Sequence, residues 1–345
     1  MFKRFISTVL VLATLCLLAG CASNSAAGTV ATTLPGITII NPTTSAATTT
    51  TGTTVPGTTP NGTTLPTTVP PTTVPPVTVP PTTAPAPTTP SGDNNEMIGS
   101  LYTRGQLLAM DKTVRYYGSG RVSDGSRPPY PVADQTNYGK YDAHFIGPDE
   151  KVAYLTFDCG YEYTATDENG NSYQVTAKIL DVLRDKNVKA VFYITMHYAK
   201  SQPDLVQRMI DEGHIVGNHT NNHPVLPEQS IDTMVYEIMS LHNYVKENFG
   251  GYEMNQIRPP QGAYSVQSLA LTQSLGYKTV DWSFAYADWD TANQPNLQNS
   301  LAGVLNSAHN GALYLLHAVS TTNASILGDV IDGLRAKGFE VALFQ

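Results

Sequence analysis

Cysteine is scarce in this chain of 345 residues. Only Cys16, Cys21 and Cys159 are present, and two of them fall in the first 21 positions. The rest of the chain holds one thiol, so an internal disulfide is excluded. Basic residues are also few, 20 Lys and Arg against 28 Asp and Glu, a formal net charge of −8. That balance argues against a nucleic-acid partner. Charge of either sign is missing altogether between Arg4 and Asp93.

A long apolar run is lacking too, apart from Phe5 to Leu18, which follows Lys3 and Arg4 and is too short and too sharply ended for a spanning helix. Its form is that of an export signal. The run closes on Leu18-Ala19-Gly20-Cys21, which resembles a bacterial lipoprotein signal. The resemblance implies that residues 1–20 are removed and that Cys21 becomes the lipid-modified first residue; a plain secretory signal or an uncleaved anchor is the alternative. Loss of Lys3 and Arg4 leaves 18 basic against 28 acidic residues, a net charge of −10. Two or three acyl chains on Cys21 would hold the protein stably at the outer face of the cell membrane, where one would not.

Residues 21–95 read as a stalk. From Pro42 to Pro90 roughly two-thirds of the residues are threonine or proline, too polar and too stiff to bury a core. Polyproline II geometry gives such a segment a reach on the order of 200 Å. It reads as a passive tether rather than a specific binding segment, with threonines available for O-linked sugars. Residues 96–150 are rich in aromatic and turn residues but weakly periodic, and read as an irregular arm packed on the domain C-terminal to them.

From residue 151 to 345 strand and helix patterns alternate. Apolar strands are expected at Ala153 to Phe157, Ala190 to Ile194, Ile215 to Gly217, near Ile257, Thr279 to Trp282, Ala312 to Leu316 and Glu340 to Phe344. Helices are expected at Ala177 to Asp185, Asp204 to Glu212, Ile231 to Phe249 after a Ser230 cap, Val266 to Leu275, Leu297 to Ala308 and Ala324 to Lys337. Their apolar stripes, such as Met234, Ile238, Leu241 and Val245, mark core. The alternation calls for an α/β fold with a parallel sheet.

Functional groups in such folds collect at the carboxyl ends of the strands. The strand Tyr154-Leu155-Thr156-Phe157 delivers Asp158, Cys159 and Gly160 to such an end. Some sixty residues on, His219-Thr220-Asn221-Asn222-His223 sets two imidazoles at a spacing that lets both meet one metal ion. With Arg258-Pro259-Pro260-Gln261-Gly262, Asp288-Trp289 and Leu315-Leu316-His317, these segments resemble the polysaccharide deacetylase family, carbohydrate esterase family 4, also called the NodB-homology domain. The resemblance spans roughly Tyr138 to Gln345. Its wording is most similar to the delta-lactam-biosynthetic branch, which deacetylates muramic acid in peptidoglycan.

That resemblance implies a distorted, incompletely closed (β/α)7-type barrel and a metal-dependent hydrolase that removes N-acetyl groups from cell-wall polysaccharide. Asp158 then corresponds to the catalytic base, His317 to the catalytic acid, Asp288 to the partner that keeps His317 protonated, and Arg258 to the cation that steadies Asp158. His219 and His223 correspond to ligands of one divalent metal, zinc foremost, with other transition ions open. The Gln261 amide would donate to an oxyanion, and Leu315 would line the acetyl-methyl pocket. Trp289 and Tyr264 would form sugar-facing walls or else serve as core aromatics. Cys159 stands where most of the family has an aspartate ligand and the muramic-acid branch an asparagine, and is expected either to bind zinc as a soft third ligand or to pack. The segment Thr164 to Tyr173 reads as an inserted loop beside the active-site turn.

Two other functions share these observations. The enzyme could deacetylate N-acetylglucosamine, chitin-like or O-acetylated glycans, or the chain could be a glycan-binding lipoprotein without activity. Retention of base, acid, arginine and both histidines favours the enzyme. The expected partners are a glycan polymer and the membrane through Cys21; the sequence implies no protein partner and a monomer.

Overall fold

The computed structural model of the chain describes residues 92–345. The expected signal, the Cys21 lipid site and nearly all of the expected stalk lie outside them. Eight strands make the main sheet: β1 (Ala143–His144), β2 (Val152–Cys159), β3 (Val191–Ile194), β4 (Ile215–Asn218), β5 (Gln256–Ile257), β6 (Lys278–Val280), β7 (Ala312–His317) and β8 (Glu340–Ala342). The order is β7-β2-β3-β4-β5-β6-β1, every pair is parallel, and β8 pairs with the first residues of β2. After β6 the chain swings across to β7, where Phe284 bridges Tyr314 and Ser283 N–H donates to Leu313 O at 2.9 Å. The sheet thus curls into an incompletely closed parallel barrel.

All seven expected strands are present, and the eighth comes from the arm. Ala143 and His144 pair with Thr279 and Val280, so the arm is part of the sheet and the expected division at residue 150 cuts through it. Two residues carry no readable periodicity, which is why the sequence pattern left them irregular. The expected inserted loop is a β-hairpin, Thr164–Thr166 against Ser172–Gln174, whose turn is held by Asp167 accepting from the Asn169 and Asn171 amides.

The arm carries two helices of its own, Arg104–Leu108 and Pro129–Tyr138, and six main helices follow from residue 175 onward: α1 (Val175–Asp185), α2 (Pro203–Asp211), α3 (Ile231–Asn248), α4 (Val266–Ser274), α5 (Leu297–Asn306) and α6 (Thr321–Ala336). Their starts follow from capping. Ser230 and Ser320 accept from the Thr233 and Asn323 amides, and α4 opens on a reciprocal Ser265–Ser268 box. The Ser320 cap starts α6 three residues before the expected Ala324. A further short helix, Met196–Ser201, follows β3 under a Thr195 cap and has no sequence expectation behind it.

Strand alternation separates the two faces of the sheet. Ala153, Leu155, Phe157 and Cys159 of β2 join Phe192, Val216, Tyr314 and the helix stripes in the large core between sheet and helices. Tyr154 faces the barrel interior with Val191, Tyr193, Val280, Leu313 and Phe344. Thr156 and Asp158 continue that inner face toward the carboxyl ends, where the polar side chains gather.

Candidate active site and metal-ligating residues

Asp158 ends the inner face of β2. The parallel register sets it opposite His317 on β7 and Tyr193 on β3. Paired residues in a parallel sheet point to the same face, so the carboxylate and the imidazole share the barrel mouth. Leu315 lies on that face one step deeper, opposite Thr156, and is buried.

Arg258 follows β5 and is wholly buried. Its Nη1 donates to Asp158 Oδ1 at 2.7 Å, Nη2 to Thr156 Oγ1 at 2.8 Å and to Asp281 O at 3.0 Å, and Nε to Val280 O at 3.1 Å. The guanidinium also lies over the Tyr193 ring, 4.2 Å from its centroid. Tyr193 can take that place because residue 217 is glycine; a Cβ there would come within 2.5 Å of the ring. Burial alone would raise the Asp158 pKa, but the Arg258 charge, with His219 and His317, outweighs it and holds the carboxyl below its ordinary value.

His219 follows β4 on the inner face. Its Nδ1 lies 2.8 Å from Arg258 O. A carbonyl only accepts, so Nδ1 carries the proton and Nε2 keeps its lone pair, 3.6 Å from Asp158 Oδ2. Burial pushes the imidazole pKa down to about 4 despite Asp158, so His219 is neutral. The His223 ring is 4.7 Å from that of His219, centroid to centroid, at 73°. Thr220 and His223 both have left-handed backbone, at φ 69° and 59°, so the segment is a tight turn.

Glu237 of α3 clasps this turn. It is buried, and it accepts from Asn222 N at 2.7 Å and Asn222 Nδ2 at 2.8 Å, while its backbone carbonyl accepts from Asn221 N at 2.9 Å. Sequence reasoning missed it. The available signal was an acidic residue three after Met234 and four before Leu241, on the apolar face of α3.

His317 is oriented by Asp288, which is fully buried. Asp288 Oδ1 lies 2.7 Å from His317 Nδ1, and Oδ2 accepts from His317 N at 2.9 Å and from Asn323 Nδ2 at 2.6 Å. Tyr286 donates its hydroxyl to Asn323, closing the network. Burial lowers the His317 pKa, but the hydrogen bond and charge of Asp288, with the Asp158 charge, more than reverse this and raise it. Trp289 is 55% exposed, its ring centroid 5.7 Å from that of His317.

Gln261 is exposed and left-handed at φ 60°, ψ 13°, on a turn stiffened by Pro259 and Pro260. Gly262 after it has φ 61°, and a Cβ there would come within 2.6 Å of the Trp282 ring.

Two expected site residues stand elsewhere. Cys159 continues the alternation of β2 and so points away from Asp158 into the core between sheet and helices, with 0% exposure and its Sγ 4.0 Å from Phe157 O. Burial, with the charges of Asp158 and Glu162, raises its pKa well above the ordinary value. On that face the thiol packs in the core, away from the side on which Asp158 and the imidazole pair meet. Tyr264 is likewise core, buried against Phe145 and Tyr138 with ring centroids 5.5 and 5.3 Å away.

Among the described residues, no three His, Cys, Asp or Glu side chains form a metal cage by themselves. The neutral imidazole pair fits a divalent metal, since His219 has its lone pair fixed at Nε2 and His223 is its immediate neighbour. His219 and His223 would hold the ion, with remaining positions left to water or substrate.

The family model described as polysaccharide deacetylase matches residues 146–280. A peptidoglycan-N-acetylmuramic acid deacetylase of Bacillus subtilis, PdaA, is 42% identical over 201 residues, 58% of this chain and 73% of that protein. This chain belongs to the polysaccharide deacetylase family. Within the family, a peptidoglycan-N-acetylglucosamine deacetylase of Bacillus cereus is 32% identical over 206 residues, 58% of this chain and 69% of that one. The solved structure of B. subtilis PdaA, a family 4 carbohydrate esterase, superposes with a TM-score of 0.61 at 38% identity, covering 67% of this chain and 95% of that one. A family 4 carbohydrate esterase from Bacillus anthracis gives 0.53 at 36% identity, covering 68% and 96%. The half-barrel of parallel strands is therefore the polysaccharide deacetylase fold.

Proposed function

We propose that the chain is a metal-dependent peptidoglycan N-deacetylase acting on muramic acid residues. The observation that carries the reading is the pairing of Asp158 and His317 at one barrel mouth, each with its own buried counter-charge, Arg258 and Asp288. Two groups whose environments push their pKa values apart supply a base and an acid for one hydrolysis. The sequence likeness to PdaA, a muramic acid deacetylase, supports the substrate.

In this reading Asp158, kept ionised by Arg258, takes the proton of the attacking water. His317, kept protonated by Asp288, passes its proton to the departing amine. The Gln261 amide donates to the oxyanion, and Leu315 bounds the acetyl methyl. When bound at His219 and His223, a divalent metal supplies Lewis-acid activation of water and charge stabilisation of the oxyanion. Zinc suits the neutral imidazole donors.

Residues 1–20 are in this reading a lipoprotein signal, Cys21 the lipid anchor and residues 21–95 a stalk. The enzyme would then work in the wall from the outer face of the cell membrane. Acetate release from purified glycan strands, with and without a chelator, tests the activity: release that the chelator abolishes and metal restores is expected. Glycan binding without acetate release would favour a non-catalytic binding protein instead.

A further inference from the structure

The segment ahead of the barrel carries an aromatic residue to the mouth that the chemistry above does not use. Arg115 and Tyr116 form a short antiparallel ribbon with Tyr264 and Ala263, and Tyr117 N–H donates to Gly262 O at 2.9 Å. Tyr116 therefore sits beside the Gln261 turn. Its hydroxyl reaches Glu228 Oε1 at 3.4 Å, in the short 3-10 turn Leu226–Glu228 that comes after His223. Tyr116 thus stands between the loop of the histidine pair and the turn of Gln261.

Alternation along the ribbon divides the two tyrosines. Tyr117 is buried, its ring 5.2 Å from Trp282 and 5.1 Å from Phe145, and its hydroxyl donates to Trp282 O at 2.6 Å. Tyr116, anchored by that neighbour, is 62% exposed. An exposed aromatic on a fixed backbone, tied only at its hydroxyl, has a ring face to offer. Two more exposed aromatics stand at carboxyl ends of strands, Trp289 beside His317 and Tyr161 just past β2, at 55% and 45%. The apolar C–H face of a pyranose ring is the partner such flat surfaces suit, because stacking buries it while the hydroxyls stay in water.

We propose that Tyr116 is a sugar-stacking residue of a subsite that holds the glycan strand beyond the sugar being deacetylated, on the side of His223 and Gln261. The arm is then part of the substrate groove. This rests on the reading of the chain as a glycan deacetylase, and the ligand is a run of N-acetylated aminosugars.

The test measures binding of peptide-free glycan strands and of the disaccharide unit to the full chain carrying Asp158→Asn, so that nothing turns over. Tyr116→Ala should lower the ratio of strand affinity to disaccharide affinity about fivefold, the worth of one aromatic contact. Tyr116→Phe, which keeps the ring and drops the bond to Glu228, and Tyr116→Trp should preserve the ratio. An unchanged ratio in Tyr116→Ala, or an equal fall in Tyr116→Phe, overturns the proposal, as does failure of the parent chain to prefer strands. If the chain with Asp158 intact released no acetate while strand binding still depended on Tyr116, the deacetylase reading would fall and the subsite would stand.

Discussion

Asp158 and His317 are register partners across the parallel pairing of β2 and β7. The proposed base and acid thus owe their juxtaposition to two strands more than 150 positions apart in the chain, and each has a separate buried partner. Asp158→Asn and His317→Ala should each lower turnover ~100- to 10,000-fold, the usual effect of losing a general base or acid. Bound metal should persist in both, since the proposed ligands are His219 and His223. Steady-state kinetics with metal analysis on the same samples checks this.

In the proposed mechanism the alkaline side of the pH dependence stems from His317. Its pKa is raised, so the protonated acid persists above the ordinary imidazole value of 6.5 and activity declines as pH rises through the shifted one. Asp288→Asn removes the partner that raises it, so the alkaline limb of the kcat profile should move to lower pH. A limb that stayed in place would assign it to another group.

Glu237 makes a different prediction. Glu237→Ala removes the acceptor for both Asn222 donors and loosens the turn that presents His223. Metal affinity should fall ~10- to 100-fold, as when supporting contacts behind a ligand are lost. Titration with zinc against a competing chelator reads this directly. Cys159→Ala, by contrast, should leave zinc affinity unchanged, because its side chain faces the core.

Asp281 carries a stability prediction. Its carboxyl is fully buried with no hydrogen-bond partner for either oxygen, and burial, partly offset by Arg258, raises its pKa to about 7 from 3.8. Between those values the folded state keeps a proton that the unfolded state releases, so this group's contribution to stability falls as pH rises from about 4 to 7 and is level above. The full penalty is on the order of 4 kcal/mol. Asp281→Asn mimics the neutral form, so its stability relative to the parent should increase from pH 4 to pH 8. Denaturant melts across that range check the sign.

The strand leading to Asp158, the Ser230 cap and the two-histidine segment were legible because period, capping chemistry and spacing are local. Cys159 could be read as a third ligand or as packing, because its place next to Asp158 in sequence leaves its direction open; β2 runs through Cys159, and alternation turns successive residues apart, which favours packing. Tyr264 could be read either way, since an aromatic beside a site motif looks the same whether its ring meets sugar or Phe145. Strand β1 was invisible at two residues. Glu237 and Asn323 act at positions 15 and 35 residues from the groups they hold, a pairing that only the fold creates.

The most direct test of the proposed activity is mass spectrometry of purified peptidoglycan after incubation with the metal-loaded protein, alongside the Asp158→Asn variant. Acetyl loss from muramic acid residues is expected with the parent protein, and none with the variant. Acetyl loss confined to glucosamine residues, or equal loss with Asp158→Asn, would contradict it.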